Sequence, residues 1–285
     1  MIERRVFAAD GRAIAARFFA PAETPKGAVL IVPAMGTPQD YYRAFAAWLA
    51  GQGFLAATFD YRGTGRSRPQ ENRGSLRGFK ADILDWARLD CAAMIDALAG
   101  EGGGAPLTWI GHSLGGQILA LVPNNARVAK AVTIATGSGY WRETVPSLRP
   151  KAWWLFYVVV PLALALWGYF PGRALRKIGD LPKGAMAQWR RWCLNRDYAF
   201  GAEDDAVRAG YSAVRTPIVS LSFADDEMMS LRNTEALHAC YSGAPRRMTR
   251  IAPREIGAAR IGHFGFFRPA FEPTLWQRYL LPELA

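Results

Sequence analysis

Apolar runs and amphipathic runs alternate along most of the chain. Residues 28–32, 54–59, 106–110, 131–135 and 217–223 are short, nearly uninterrupted apolar stretches. Such stretches suit strands buried on both faces, as in a parallel sheet. Between them, segments 41–49, 79–98 and 232–241 place apolar residues three and four apart. That spacing gathers them on one side of a helix. Gly51 and Gly53 close the first helix, and the glycines of 100–105 break the second. Two short strands at 4–8 and 13–18, turned by Asp10-Gly11, open the chain; a strand at 247–251 and a helix at 272–281 close it. The alternation predicts an α/β fold with a mainly parallel central sheet flanked by helices. In such sheets functional groups collect at the carboxyl ends of the strands.

The alternation fails between 140 and 200, where Trp, Tyr, Arg and Pro dominate and no strand is predicted. The chain therefore divides into a first core segment (1–139), an aromatic-rich insert (140–200) and a second core segment (201–285). Within the insert, residues 152–170 carry no charge. Their length and apolarity qualify them as a transmembrane candidate, with aromatics at both ends.

Candidate chemistry begins at Gly111-His112-Ser113-Leu114-Gly115. A strand-like run enters these small residues and a helix-like run, 117–122, leaves them, which is the setting of a G-x-S-x-G nucleophile elbow. The sharp turn strains the serine backbone, and a Cβ at either flank would crowd it. A helix N-terminus beneath the hydroxyl offers N–H groups to a negative oxygen. Ser113 needs a base, and the chain has three histidines. His112 sits on the elbow and must point elsewhere. His238 falls in mid-helix. His263, on the loop after the last strand, is the one positioned to reach Ser113. The orienting carboxylate is Asp226, with Asp225 as the alternative. For a tetrahedral oxyanion, the donors are the backbone N–H of Leu114 and, from the turn after 28–32, of Met35.

This chemistry decides the fate of the insert. Ser113 precedes residues 152–170, whereas Asp226 and His263 follow them. A single crossing would separate nucleophile and base by a bilayer. The segment is therefore expected to form a lid of short helices broken at Pro161 and Gly168. Trp153, Trp154, Phe156 and Tyr157 would line an apolar pocket for substrate. A second reading rests the lid on an anionic membrane surface, helped by Arg149, Lys151, Arg173, Arg176 and Lys177.

Composition adds limits. Lys and Arg number 35 against 24 Asp and Glu, a net +11 that favours anionic partners. No finger spacing, RNP-like stretch or long basic run points to nucleic acid. The Gly-rich loop 60–67 lacks the Walker A ending, so Asp60 and Arg62 are expected to lock it rather than cradle a phosphate. Three distant cysteines give neither a disulfide framework nor metal spacing, and residues 1–5 lead into no signal core. A cytoplasmic location is expected, with peripheral contact at the inner face of the membrane as the extension.

With Ser113, Asp226 and His263 in the order Ser…Asp…His, the chain resembles the α/β-hydrolase superfamily over essentially its whole length. Within it, the chain resembles the serine aminopeptidase and monoacylglycerol lipase branch. Pro33-Ala34-Met35-Gly36, Trp86-Ala87-Arg88-Leu89-Asp90, Gly137-Ser138-Gly139-Tyr140-Trp141 and the run Gly262-His263-Phe264-Gly265-Phe266-Phe267-Arg268 resemble a group of bacterial predicted hydrolases. Many members of the superfamily carry His-Gly where this chain has Pro33-Ala34. The resemblance implies an α/β-hydrolase fold with a helical lid inserted before the strand carrying the acid. It also implies a serine mechanism, but not a natural reaction. Triad and apolar insert together lead to the expectation of a serine hydrolase, without cofactor or metal, cleaving small-molecule esters or thioesters with an apolar acyl group. An acyltransferase with the same triad and a non-catalytic ligand-binding member are the alternatives. Neither the natural substrate nor the oligomeric state follows from the sequence.

Overall fold

The computed structural model describes residues 1–175 and 178–284. Its strands are β1 (Ile2–Phe7), β2 (Ala13–Phe19), β3 (Gly27–Val32), β4 (Phe54–Phe59), β5 (Leu107–His112), β6 (Val128–Ile134), β7 (Ile218–Phe223) and β8 (Arg246–Ile251). They form one sheet in the order β1-β2-β4-β3-β5-β6-β7-β8. β1 and β2 make an antiparallel hairpin and β2 runs antiparallel to β4; the remaining pairings are parallel. This is the α/β-hydrolase arrangement that the apolar pattern and the resemblance lead one to expect.

The strands are apolar on both faces because both faces are covered. β3, β4, β5 and β7 bury all their residues. Along β3, Leu30 and Val32 pack with Trp86, Met94, Ile95 and Leu98 of the helical run 83–101. Their neighbours Val29 and Ile31 turn the other way, toward Phe45 and Leu49 of helix Arg43–Gly51 and Trp276 and Leu280 near the end of the chain. The period of two along a strand thus feeds two separate cores. Each large side chain buried this way contributes about 1.5–3 kcal/mol.

The crossovers place the site. The chain passes from β3 to β4 through helix Arg43–Gly51 on one face. It then returns from β4 to β5 through the run 83–101 on the other face, stepping back past β3. Winding therefore reverses between neighbours β3 and β5, and a crevice opens at the carboxyl ends of such a pair. Those ends carry the turn Pro33-Ala34-Met35-Gly36 and Ser113.

Three helices differ from the sequence reading. The one expected from 79 begins at Ile83, because Asp82 caps it: its side chain accepts from Asp85 N while the Asp85 carboxylate accepts from Asp82 N. The helix expected at 117–122 is one turn, Leu114–Gln117, followed by a tighter turn, Leu119–Leu121. Gly115 and Gly116 are poor helix formers, and Pro123 lies just beyond. In the insert, Pro161 does not break the helix. Arg149–Trp154, Leu155–Val159 and Val160–Leu166 run on as one helix whose middle segment is π-wound. Proline has no N–H for the preceding turn, and the widened segment is compatible with that loss. The Phe156 carbonyl accepts from Arg190 Nε at 2.5 Å instead. Gly168, at φ 73°, follows the end of this helix in the left-handed conformation.

Candidate active site

Ser113 stands where β5 turns into helix Leu114–Gln117, with φ 50° and ψ −112°. A non-glycine residue at positive φ costs on the order of 1–3 kcal/mol and survives only where its surroundings fix it. Here Ser113 N donates to Ile134 O at 2.9 Å and Gly116 N donates to Ser113 O at 3.0 Å. The flanking glycines are required by space. A Cβ on Gly111 would come within 2.5 Å of Gly116 Cα, and one on Gly115 would overlap Val32 O. Gly116 is equally constrained, since its Cβ would strike Thr136 Oγ1. The Gly115 contact also shows how closely the elbow sits on the end of β3.

The loop after β8 brings His263 to the same end of the sheet, where its side chain is almost wholly buried. Its Nδ1 lies 2.9 Å from Asp226 Oδ2, and Asp226 Oδ1 accepts from Met228 N and Met229 N at 2.7 and 2.8 Å. Asp225 does not touch the imidazole. Its Oδ2 accepts from Ile261 N at 2.8 Å and Gly262 N at 3.2 Å, the two amides leading into His263. Glu227 Oε2 accepts from His263 N at 3.0 Å and pairs with Arg260 at 3.2 Å. Three successive acids thus hold one loop, one by its side chain and two by its backbone. The sequence reading did not assign Glu227 a role. The visible signal was the Asp-Asp-Glu run directly after a buried strand, too rich in charge for a simple turn.

With Nδ1 on Asp226, Nε2 is the ring nitrogen His263 has left for a hydroxyl. Ser113 Oγ has no hydrogen-bond partner among the described residues. The structure thus joins His263 to Asp226 and shows no hydrogen bond between His263 and Ser113 among the described residues.

The turn after β3 is braced from several sides. Tyr61 Oη donates to Pro33 O at 3.0 Å, and Ala34 N donates to Tyr42 Oη at 2.9 Å. Gly36, at φ 67°, accepts from Gly179 N at 3.1 Å through its carbonyl. Met35 N and Leu114 N donate to no acceptor among the described residues. Amides left free on the turn after β3 and at the first helical residue after Ser113 are the kind of donors that can receive a negative oxygen.

His112 points away from the hydroxyl, as the elbow geometry requires. Tyr42 Oη donates to its Nδ1 at 2.8 Å, and its Nε2 donates to the His263 carbonyl at 3.1 Å. Burial, reinforced by the neighbouring His263, pushes its pKa well below the usual histidine range. It is therefore neutral, and one chain of hydrogen bonds runs from Ala34 through Tyr42 and His112 to the loop of His263. His238 lies elsewhere, buried between Thr133 and Thr234.

Of the aromatic residues expected to line a pocket, Phe156 is buried against Trp189, with ring centroids 5.3 Å apart. Trp153, Trp154 and Tyr157 are about half exposed on the same helix, as are Leu162, Leu166 and Trp167 farther along the insert. Arg173 pairs with Asp180; Arg176 and Lys177 lie outside the described residues. Among the described residues no helix is long and apolar enough to cross a membrane.

Comparison with known proteins agrees with this architecture. Human monoglyceride lipase is 28% identical over 113 residues, 40% of this chain and 35% of that protein. The match thus takes in about a third of the human relative's length. A soluble variant of monoglyceride lipase from Saccharomyces cerevisiae superposes with TM-score 0.62 at 16% identity, covering 88% of this chain and 86% of that one. An esterase of Pyrococcus furiosus gives TM-score 0.62 at 13% identity, covering 99% and 88%. At these identities the two structures speak for the fold. The family described as serine aminopeptidase, S33, matches residues 23–183. More than half of the chain carries that match, and the chain belongs to the S33 serine aminopeptidase family of α/β hydrolases.

Proposed function

We propose that the protein is a serine hydrolase of carboxylic esters or thioesters with an apolar acyl group, working through an acyl-enzyme on Ser113. The observation that carries this reading is the His263–Asp226 pair, 2.9 Å apart, at the sheet end where Ser113 is held at positive φ. His263 Nε2 takes the Ser113 proton as Oγ attacks the carbonyl carbon. Asp226 holds the imidazole by Nδ1 and stabilises its charged form. The carbonyl oxygen, now negative, is received by Met35 N–H and Leu114 N–H. His263 then gives the proton to the leaving group, and water cleaves the acyl-enzyme by the same route in reverse. The names of the similar proteins, lipase and esterase, support an ester as substrate.

The insert serves as a roof in this reading. Residues 140–200 form the lid segment between core segments 1–139 and 201–285, with Phe156 buried against Trp189, and with Trp153, Trp154 and Tyr157 half exposed. The half-exposed aromatics favour one extension: with Arg149 and Lys151 beside them, this helix rests on an anionic membrane surface. The decisive experiment is turnover of p-nitrophenyl esters and labelling by a fluorophosphonate. Both are expected for the wild type and lost in Ser113→Ala. Unchanged turnover in that variant, or a wild type inert to both reagents, rules the mechanism out.

A further inference from the structure

We propose that a cavity beside the β1–β2 hairpin, separate from Ser113, binds the phosphate group of a soluble small molecule. The cavity measures about 930 Å³ and is lined by Arg5, Arg12, Arg66, Arg68, Arg73 and Arg173, with Asp10 and Glu71 as the acids. Ser113, Met35 and His263 take no part in it. A space of this size suits a small molecule, but the arginine wall demands one that brings negative charge.

The charge on this wall is not balanced from within. Asp10 is already bound to Arg62 at 2.6 Å. Arg66 pairs with Glu3 at 2.8 Å. Arg68 and Arg173 share a single carboxylate, Asp180, at 2.9 and 2.6 Å. Arg5, Arg12 and Arg73 form no ion pair among the described residues; Arg12 lies over the Phe79 ring, 4.9 Å from its centroid.

Arg68 makes this more than a patch of surface cations. Its side chain is 8% exposed. Nε donates to Asn72 O at 2.6 Å and Nη1 to Asp180 Oδ2 at 2.9 Å, while Nη2 is buried with no acceptor among the described residues. A guanidinium taken out of water with one donor idle is poorly settled. An anionic oxygen would complete it, and phosphate oxygens match the fork geometry of guanidinium groups. The grip is by side chains. Arg66 N is already spent on Asp60 Oδ2 at 2.9 Å, and Asp60 also accepts from Gln39, so the Gly-rich loop is locked rather than open as a cradle.

The test is calorimetric titration of the full chain with inorganic pyrophosphate at fixed ionic strength. One equivalent is expected to bind, with affinity falling as salt rises. Arg12→Gln combined with Arg73→Gln, both clear of the buried network, is expected to weaken binding roughly tenfold or more. Arg254→Gln combined with Arg278→Gln removes the same charge outside the cavity and is expected to leave the affinity unchanged. Absence of binding at millimolar pyrophosphate, or an equal loss in the second pair, overturns the site. Vesicles of phosphatidylcholine with phosphatidic acid serve as competitor. Displacement of pyrophosphate by them, and not by phosphatidylcholine alone, overturns the assignment to a soluble molecule.

Discussion

His112 Nε2 lies 3.1 Å from the carbonyl oxygen of His263, so a neutral side chain joins the elbow to the histidine loop. Replacing it strands groups on both sides. We expect His112→Ala to leave the buried Tyr42 hydroxyl without an acceptor and the His263 carbonyl without a donor. Unfolding free energy should fall by about 3–5 kcal/mol in urea titration. Tyr42→Phe strands Ala34 N–H and the His112 Nδ1 but opens little space, for a smaller loss of about 1–3 kcal/mol. The reverse order would contradict the chain of bonds described.

Asp225 and Asp226 invite a direct comparison. With the proposed roles, Asp226→Asn should lower kcat by roughly a thousandfold to ten-thousandfold, because the imidazole loses its orienting charge. Asp225→Asn weakens the hold on two loop amides and leaves the imidazole paired. A loss of about tenfold in kcat with about 1–2 kcal/mol of stability is expected. Steady-state kinetics on a p-nitrophenyl ester read both, and equal losses would sink the division of labour.

Stability should also depend on pH through His238. Burial lowers its pKa from 6.5 to about 4. Folded protein thus keeps this histidine neutral over a range where the unfolded chain protonates it. The unfolded state binds more protons there, so the contribution is complete above pH 6.5 and is lost as pH falls toward 4. One protonation step is worth about 1.4 kcal/mol per pH unit. The stability difference between wild type and His238→Gln should therefore shrink by roughly 3 kcal/mol across that window. Parallel curves for the two proteins would show that His238 titrates alike in both states.

The exposed aromatics of the insert give a binding prediction. Trp153→Ser with Trp154→Ser should leave the protein folded at a cost of about 1–3 kcal/mol, since each ring is half in water and Trp153 stacks on Tyr157. The same pair should lower sedimentation with anionic vesicles, and salt should lower it further. Equal recovery of the wild type in the supernatant with and without vesicles removes membrane contact from the reading.

Much of this molecule is legible from residue order because its sheet is buried on both faces. Residues 54–59 are apolar throughout, and the strand Phe54–Phe59 coincides with them. The elbow is legible for a steric reason, since Gly111 and Gly115 stand where no Cβ fits. Three features were hidden because their cause is distant in sequence. Arg190 supplies the Phe156 carbonyl from 34 positions away, so Pro161 looked like a break and is none. Glu227 acts on a loop 36 residues later. The link from Tyr42 to His112 spans 70 residues and no periodicity announces it.

The bond from Gly179 N to Gly36 O has a mechanical meaning. In the proposed reading, where residues 140–200 roof the site, the roof is fastened to the carbonyl next door to Met35 and is not a flap on a free hinge. Lifting it either snaps that tether or drags the amide of Met35 out of register with Leu114. With the proposed lid and the proposed oxyanion donor at Met35, admission of a ligand and readiness to receive a negative oxygen would then be set by the same few ångströms of backbone.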